Sequence, residues 1–214
     1  EFASEMVLKA ALQRMAVAEM PVTLSPDGRG RPPHLKPVRD GLRPLLYMLM
    51  LSPEWLFLAP AALLAALGLG LFGVLLAQPA GDMTRLGPPI LGDHWAVIAA
   101  AALIVAVQAL ILGLASLILG HRDGYLPPSR RAMRIFRHSS LGSWLAAGLA
   151  ILAAGLAWAG ALGAGWSRAE SGEPGQMRSL LAAGTAIVIG LHVCLGGFVL
   201  SIAAGNRMRH LARG

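Results

Sequence analysis

Cysteine, acidic and aromatic side chains are all scarce in this sequence. Its single cysteine, Cys194, stands inside an apolar stretch, which excludes a disulfide framework and a thiolate zinc cluster and leaves a small packing residue. Charged residues make up 14% of the 214 positions and apolar ones 56%, outside the range of soluble domains. The 11 acidic residues are outnumbered by 18 Lys and Arg, for a net charge of +7, and no acid lies in the middle of an apolar run. Proton-coupled transport needs a group that titrates within the membrane, so the pattern argues against that class. The first residues lack the basic, apolar and small-residue regions of a signal peptide. No two carboxylates have the spacing of an acid–base or metal-binding pair, and Glu5, four residues before Lys9, reads as half of a helical ion pair.

What is present is apolar length. Four runs predict membrane spans at about 55–77, 94–120, 141–166 and 177–204. At about 1.5 Å per residue each crosses a hydrocarbon layer of about 30 Å. The fold expected is a mainly α membrane protein, with four transmembrane helices forming two hairpins (residues 54–206) and a basic tail at 207–214. Basic residues favour the cytoplasmic side of short connections. Lys9, Arg14, Arg29, Arg31, Lys36, Arg39 and Arg43 precede the first span, and Arg122, Arg130, Arg131, Arg134 and Arg137 separate the second from the third. Arg207, Arg209 and Arg213 follow the fourth, whereas the opposite side holds only Arg85, Arg168 and Arg178. Both termini are therefore expected in the cytoplasm of a multi-pass inner-membrane protein. Within "PSRRAMRIFRH", Arg130, Arg134 and Arg137 share one helical face opposite Ala132, Ile135 and Phe136. That fits a short helix on anionic headgroups as well as it fits a solvated basic loop.

The opening residues read differently. Val7, Leu8, Ala11, Leu12 and Met15 line one face of a helix, and Ala18, Met20, Val22 and Leu24 alternate as in a short strand limited to an edge by Pro21. One helix and one strand bury too little to stand alone, so residues 1–36 are expected to be the carboxyl-terminal edge of a larger, truncated α/β domain. "SPDGRGRPPH" is turn chemistry that gathers Arg29, Arg31 and His34, with Lys36 and Arg39 following. Guanidinium groups pair with phosphate oxygens, supplied either by a phosphorylated substrate or by lipid headgroups. Residues 37–53 then predict an interfacial helix, roughly 38 to 52, with Leu42, Leu45, Leu46 and Leu49 on its apolar side and Tyr47 and Trp55 as interfacial aromatics.

"EFASEMVLKA" and "EMPVTLSPDGRGRPPHLKPVRDGLRPLLYMLMLSPEWLFLAP", with Gln108 in the second span and Leu200-Ser201-Ile202 near the end of the last, resemble the carboxyl-terminal part of bacterial family 2 glycosyltransferases of the dolichol-phosphate mannose synthase and polyprenyl-phosphate sugar transferase type. The resemblance implies a cytoplasmic α/β nucleotide-sugar transferase domain using a divalent metal, Mg or Mn, and inverting transfer to a polyprenyl phosphate at the membrane face. Its F-x-x-E helix is matched by Phe2 and Glu5, and its arginine-bearing loop loosely by Arg29, Gly30 and Arg31; Pro32, Pro33 and His34 stand where a Ser-Lys pair is common. The implied site is a set of lipid-phosphate contacts from Arg29, Arg31, His34, Lys36 and Arg39, with Arg130, Arg134 and Arg137 on the membrane surface. No metal ligand and no catalytic residue is expected within the chain. The implied partners are membrane lipid, the polyprenyl-phosphate acceptor, a nucleotide-sugar held by the upstream domain and a second copy in a homo-oligomer, with no nucleic acid. The alternatives are a small four-span transporter, which would have no reason to begin with half an α/β domain, and a membrane scaffold that docks a partner on its basic cytoplasmic face.

Within the spans, Gln108, Ser116, Thr185, His192 and Ser201 are the polar positions, and Gly155, Ala159 and Gly163 repeat at four-residue spacing, a pattern of close helix packing. "WLFLAPAALLAAL" from Trp55 also aligns with "WLAAGLAILAAGL" from Trp144, a faint duplication of the hairpin.

Overall fold

The computed structural model describes residues 2–23, 25, 28, 37–77, 94–124, 126, 140–166 and 176–205. The described residues form six α-helices: α1 (Phe2–Leu12), α2 (Pro37–Met50), α3 (Ala59–Ala77), α4 (His94–Arg122), α5 (Leu141–Trp166) and α6 (Gln176–Ala203), with a π-helical turn, Glu54–Leu58, leading into α3. The four expected spans are present as Glu54–Ala77, His94–Arg122, Leu141–Trp166 and Met177–Ala203. In α4, 29 residues extend about 43 Å, so its last turns rise past the hydrocarbon toward the headgroups.

The spans pack in the order α3, α4, α6, α5. The two hairpins, α3 with α4 and α5 with α6, join through α4 and α6. Lipid tails are as apolar as leucine, so helices associate through close packing rather than through the hydrophobic effect. Small residues provide that closeness. A Cβ on Gly148 would lie 2.8 Å from the Gly190 carbonyl oxygen, and one on Gly190 2.7 Å from the Leu152 Cα, so α5 and α6 touch backbone to backbone. Gly155 belongs to this seam, against the Ile187 nitrogen, whereas Gly163 has open space beside it. The four-residue stripe read from the sequence therefore packs only in part.

Helix ends show how the chain satisfies the carbonyls that a helix leaves over. Arg178, 9% exposed at the start of α6, donates from Nη1 to the Leu75 carbonyl of α3 at 3.2 Å. At the other end of the bundle, Arg122 donates from Nη1 to the Ala203 carbonyl of α6 at 3.1 Å and pairs with Asp123 at 3.0 Å. A cation at a helix carboxyl terminus also meets the negative end of its dipole. At the start of α5, Ser140 and Ser143 cap reciprocally: each backbone nitrogen donates to the other's Oγ, at 2.9 and 3.0 Å.

The Glu5–Lys9 ion pair forms at 2.6 Å on α1. Residues 15–23 differ from their alternating pattern and form neither helix nor strand, and no strand occurs among the described residues. A strand is held by the ladder of a neighbour, and none of the described segments offers one. Met15, Val17, Met20 and Val22 are exposed in consequence.

Candidate functional site

Of the segment expected to face a substrate, the described part is α2. α2 is a poor helix by intrinsic preference: Pro44 lies inside it, removing one backbone donor and crowding the Asp40 carbonyl, and Gly41 adds backbone entropy. Its pattern compensates. Leu42, Leu45 and Leu46 are each about half exposed and project together from one side, the geometry of a helix seated in the headgroup boundary. Arg39 and Arg43 stand one turn apart on the same helix, and Arg43 is exposed.

A tight turn then redirects the chain. Ser52 donates its N–H to the Leu49 carbonyl at 3.0 Å and accepts from Trp55 and Leu56 at 3.1 and 3.0 Å. The π turn follows for a local reason. Pro60 cannot donate to the Leu56 carbonyl, and its ring presses on that carbonyl, so the preceding turn widens until Ala59 donates to Glu54 instead. A wide turn needs room, and Gly113 of α4 makes it: a Cβ there would lie 2.9 Å from the Phe57 Cβ and 2.7 Å from the Leu58 Cδ2. Trp55, 75% exposed, faces outward at the level where indole rings anchor. α2 is therefore fixed to the bundle by a turn whose position is set at Pro60 and Gly113.

A second polar feature lies at mid-span. Gln108 Nε2 and His192 Nε2 are 3.0 Å apart, and His192 Nδ1 is 2.9 Å from the Val188 carbonyl. A carbonyl only accepts, which assigns the ring hydrogen to Nδ1 and makes Nε2 the acceptor of the Gln108 amide. Thr185 and Cys194 direct their hydrogens to backbone carbonyls, Leu181 at 2.6 Å and Leu145 at 3.9 Å. These groups serve packing.

Of the residues expected at the site, Arg39 lies on α2, while Arg29, Arg31, His34 and Lys36, and the surface set Arg130, Arg134 and Arg137, lie outside the described residues. Among the described residues no three His, Cys, Asp or Glu side chains converge. Sequence reading missed the π turn and the two arginine caps between helices. Pro60, seven residues after Pro53, was the available signal for the first; the caps depend on which helix ends meet.

The later part of the helical bundle has a counterpart among known families. Residues 114–204 match the glycosyltransferase family 2 C-terminal transmembrane region. This part of the chain is thus similar to the membrane region of family 2 glycosyltransferases. The chain is also similar, at 28% identity over 206 residues, to the low-salt glycan biosynthesis hexosyltransferase Agl6 of Haloferax volcanii, covering 94% of this chain and 46% of that protein. The chain spans about half the length of the curated relative it matches. No solved structure matches it.

Proposed function

We propose that this chain anchors a glycosyltransferase at the membrane and presents an anionic lipid acceptor, a polyprenyl phosphate, to a nucleotide-sugar. The observation that carries the reading is α2, an exposed leucine face joined by a three-residue turn to the π turn and the first span, in a chain whose later residues match a family 2 transmembrane region. A helix seated at headgroup depth sets the level of the basic segment before it. In this reading Arg29, Arg31, His34, Lys36 and Arg39 supply the contacts to a lipid phosphate. An acceptor phosphate oxygen attacks the anomeric carbon of the sugar from the side opposite the leaving group, the bond to the nucleoside diphosphate breaks, and the configuration inverts. Guanidinium groups orient the acceptor and offset the negative charge gathered there.

The donor and its divalent metal belong, in this reading, to a cytoplasmic α/β domain of the whole enzyme. Both ends of the chain then face the cytoplasm, as the basic residues favour. The similarity to a hexosyltransferase supports a hexose as the sugar and cell-envelope glycan synthesis as the setting.

Replacing Arg29 and Arg31 together with alanine in the intact enzyme tests this. Charged hydrogen bonds contribute about 1.5–3 kcal/mol each, so with both removed kcat/KM for the lipid acceptor should fall about a hundredfold or more, with hydrolysis of the nucleotide-sugar within about twofold of the parent. Equal loss of both activities, or of neither, would remove the lipid-phosphate role.

A further inference from the structure

The two hairpins make the same contacts at equivalent positions. In the first, a Cβ on Gly68 of α3 would lie 2.9 Å from the Ala99 carbonyl oxygen of α4 and meet the Leu103 side chain. In the second, a Cβ on Gly155 of α5 would lie 3.0 Å from the Ala183 carbonyl oxygen of α6 and meet Ile187. Ala99 to Ala183 and Leu103 to Ile187 are one constant shift of 84 positions, the separation of Gln108 from His192. The same shift carries Gly113 to Gly197. Gly113 is crowded by the Phe57 Cβ at 2.9 Å and Gly197 by the Trp144 Cβ at 2.7 Å. Phe57 to Trp144 and Gly68 to Gly155 likewise share one shift, of 87 positions, which is the register of α3 on α5. Composition alone makes Ala and Leu coincide by chance; it does not make contacts coincide.

The arrangement of the hairpins fixes the operation that relates them. The second helix of each, α4 and α6, runs in the same direction, so the relation is not an inversion through the membrane plane. The packing order α3, α4, α6, α5 reads the same from either end when equivalent helices are exchanged, which a translation would not produce and a two-fold rotation does. In a two-fold arrangement only residues on the axis touch their own equivalents. Gln108 and His192 are equivalent by the shift of 84 and hydrogen-bond to each other at 3.0 Å.

We infer that the four spans are two copies of one helical hairpin, joined in tandem and packed about a two-fold axis along the membrane normal, with Gln108 and His192 meeting on that axis. The α4 face of the first hairpin and the α6 face of the second are then one interaction surface, fitted to another copy of the same hairpin. In this register Leu58, Ala59, Ala66, Leu69, Gly73 and Leu75 face identical residues at Leu145, Ala146, Ala153, Leu156, Gly160 and Leu162. Gly73 and Gly160 both have open space beside them. The tryptophan alignment was two residues out, because Trp144 corresponds to Phe57. Symmetry ends at the termini: Pro60 has Ala147 as its equivalent, so only the first hairpin opens with a π turn, and Arg178 has His94, so only α6 carries the arginine that reaches α3.

The test exchanges the axial pair in the full chain, in detergent or nanodiscs. Gln108→Leu and His192→Leu each remove the bond and should lower Tm by about 2–4 °C. The double exchange Q108H/H192Q should stay within about 1 °C of the parent. In it, a histidine at 108 finds the Ile104 carbonyl four residues back, as His192 finds Val188. An exchange as damaging as the single changes overturns the equivalence. Glycine pairs decide it independently. Gly68→Leu and Gly155→Leu should lower Tm by similar amounts, about 3–8 °C, while Gly73→Leu and Gly160→Leu leave it unchanged. Sensitivity of one member of either pair and not of the other would also overturn it.

Discussion

Gly190→Leu is expected to loosen α5 from the bundle. Here the neighbouring atoms are backbone: a Cβ on Gly190 would lie 2.5 Å from the Leu152 nitrogen and 2.8 Å from the Gly148 carbonyl oxygen. No side chain can turn aside, so the helices must separate along the seam. Overpacking a closed core costs about 1–3 kcal/mol, and losing the backbone contacts on which membrane helices depend adds to it. The expected cost is about 3 kcal/mol or more, a fall in Tm of roughly 6–12 °C for a chain of this length. Gly184→Leu on the same helix is the control, since nothing lies within 4 Å of its Cβ position. Thermal unfolding in detergent separates the two, and equal loss at both glycines would mean that the seam is not held by close approach.

Leu42→Glu, Leu45→Glu and Leu46→Glu together should melt α2. With 14 residues, an internal Pro44 and Gly41, the helix lacks the length and propensity to persist in water. Its stability comes from the leucine face, where each side chain gains about 1.5–3 kcal/mol when fully removed from water. Three carboxylates reverse that gain and repel anionic headgroups. Amide exchange across α2, followed in nanodiscs, should accelerate by about a hundredfold or more, while the spans exchange as before. Unchanged protection in α2 would show that the bundle, not the bilayer, holds it. In the proposed function the same variant also loses acceptor use, because the basic segment is no longer set at headgroup depth.

The two changes act on the two ways this chain uses its apolar residues. In the spans, the closest helix contacts are made at glycines such as Gly148, Gly155 and Gly190, while leucines such as Leu63, Leu149 and Leu156 stay exposed; in α2, the exposed leucines are Leu42, Leu45 and Leu46. That division explains why Trp55 and the α2 leucines are exposed without being a defect of packing. It also explains why the polar pair at mid-span, Gln108 and His192, bonds across helices in a region where water is scarce.

Local chemistry made much of this legible from the sequence alone. The four spans follow from apolar length, because a bilayer of fixed thickness admits few other solutions, and the amphipathic α2 follows from periodicity. The Glu5–Lys9 pair follows from helical spacing. The short strand at 18–24 did not follow, since strand pairing is a property of two segments and the pattern describes one. Tertiary structure alone decided that Gly155 packs and Gly163 does not, that Arg178 and Arg122 reach the ends of other helices, and that Phe57 rather than Trp55 is the counterpart of Trp144. Each depends on which surfaces meet. Span length is set by the solvent, which every residue of the span encounters equally, whereas contacts between spans are set by single atoms at a few positions that the hydropathy of the chain does not distinguish.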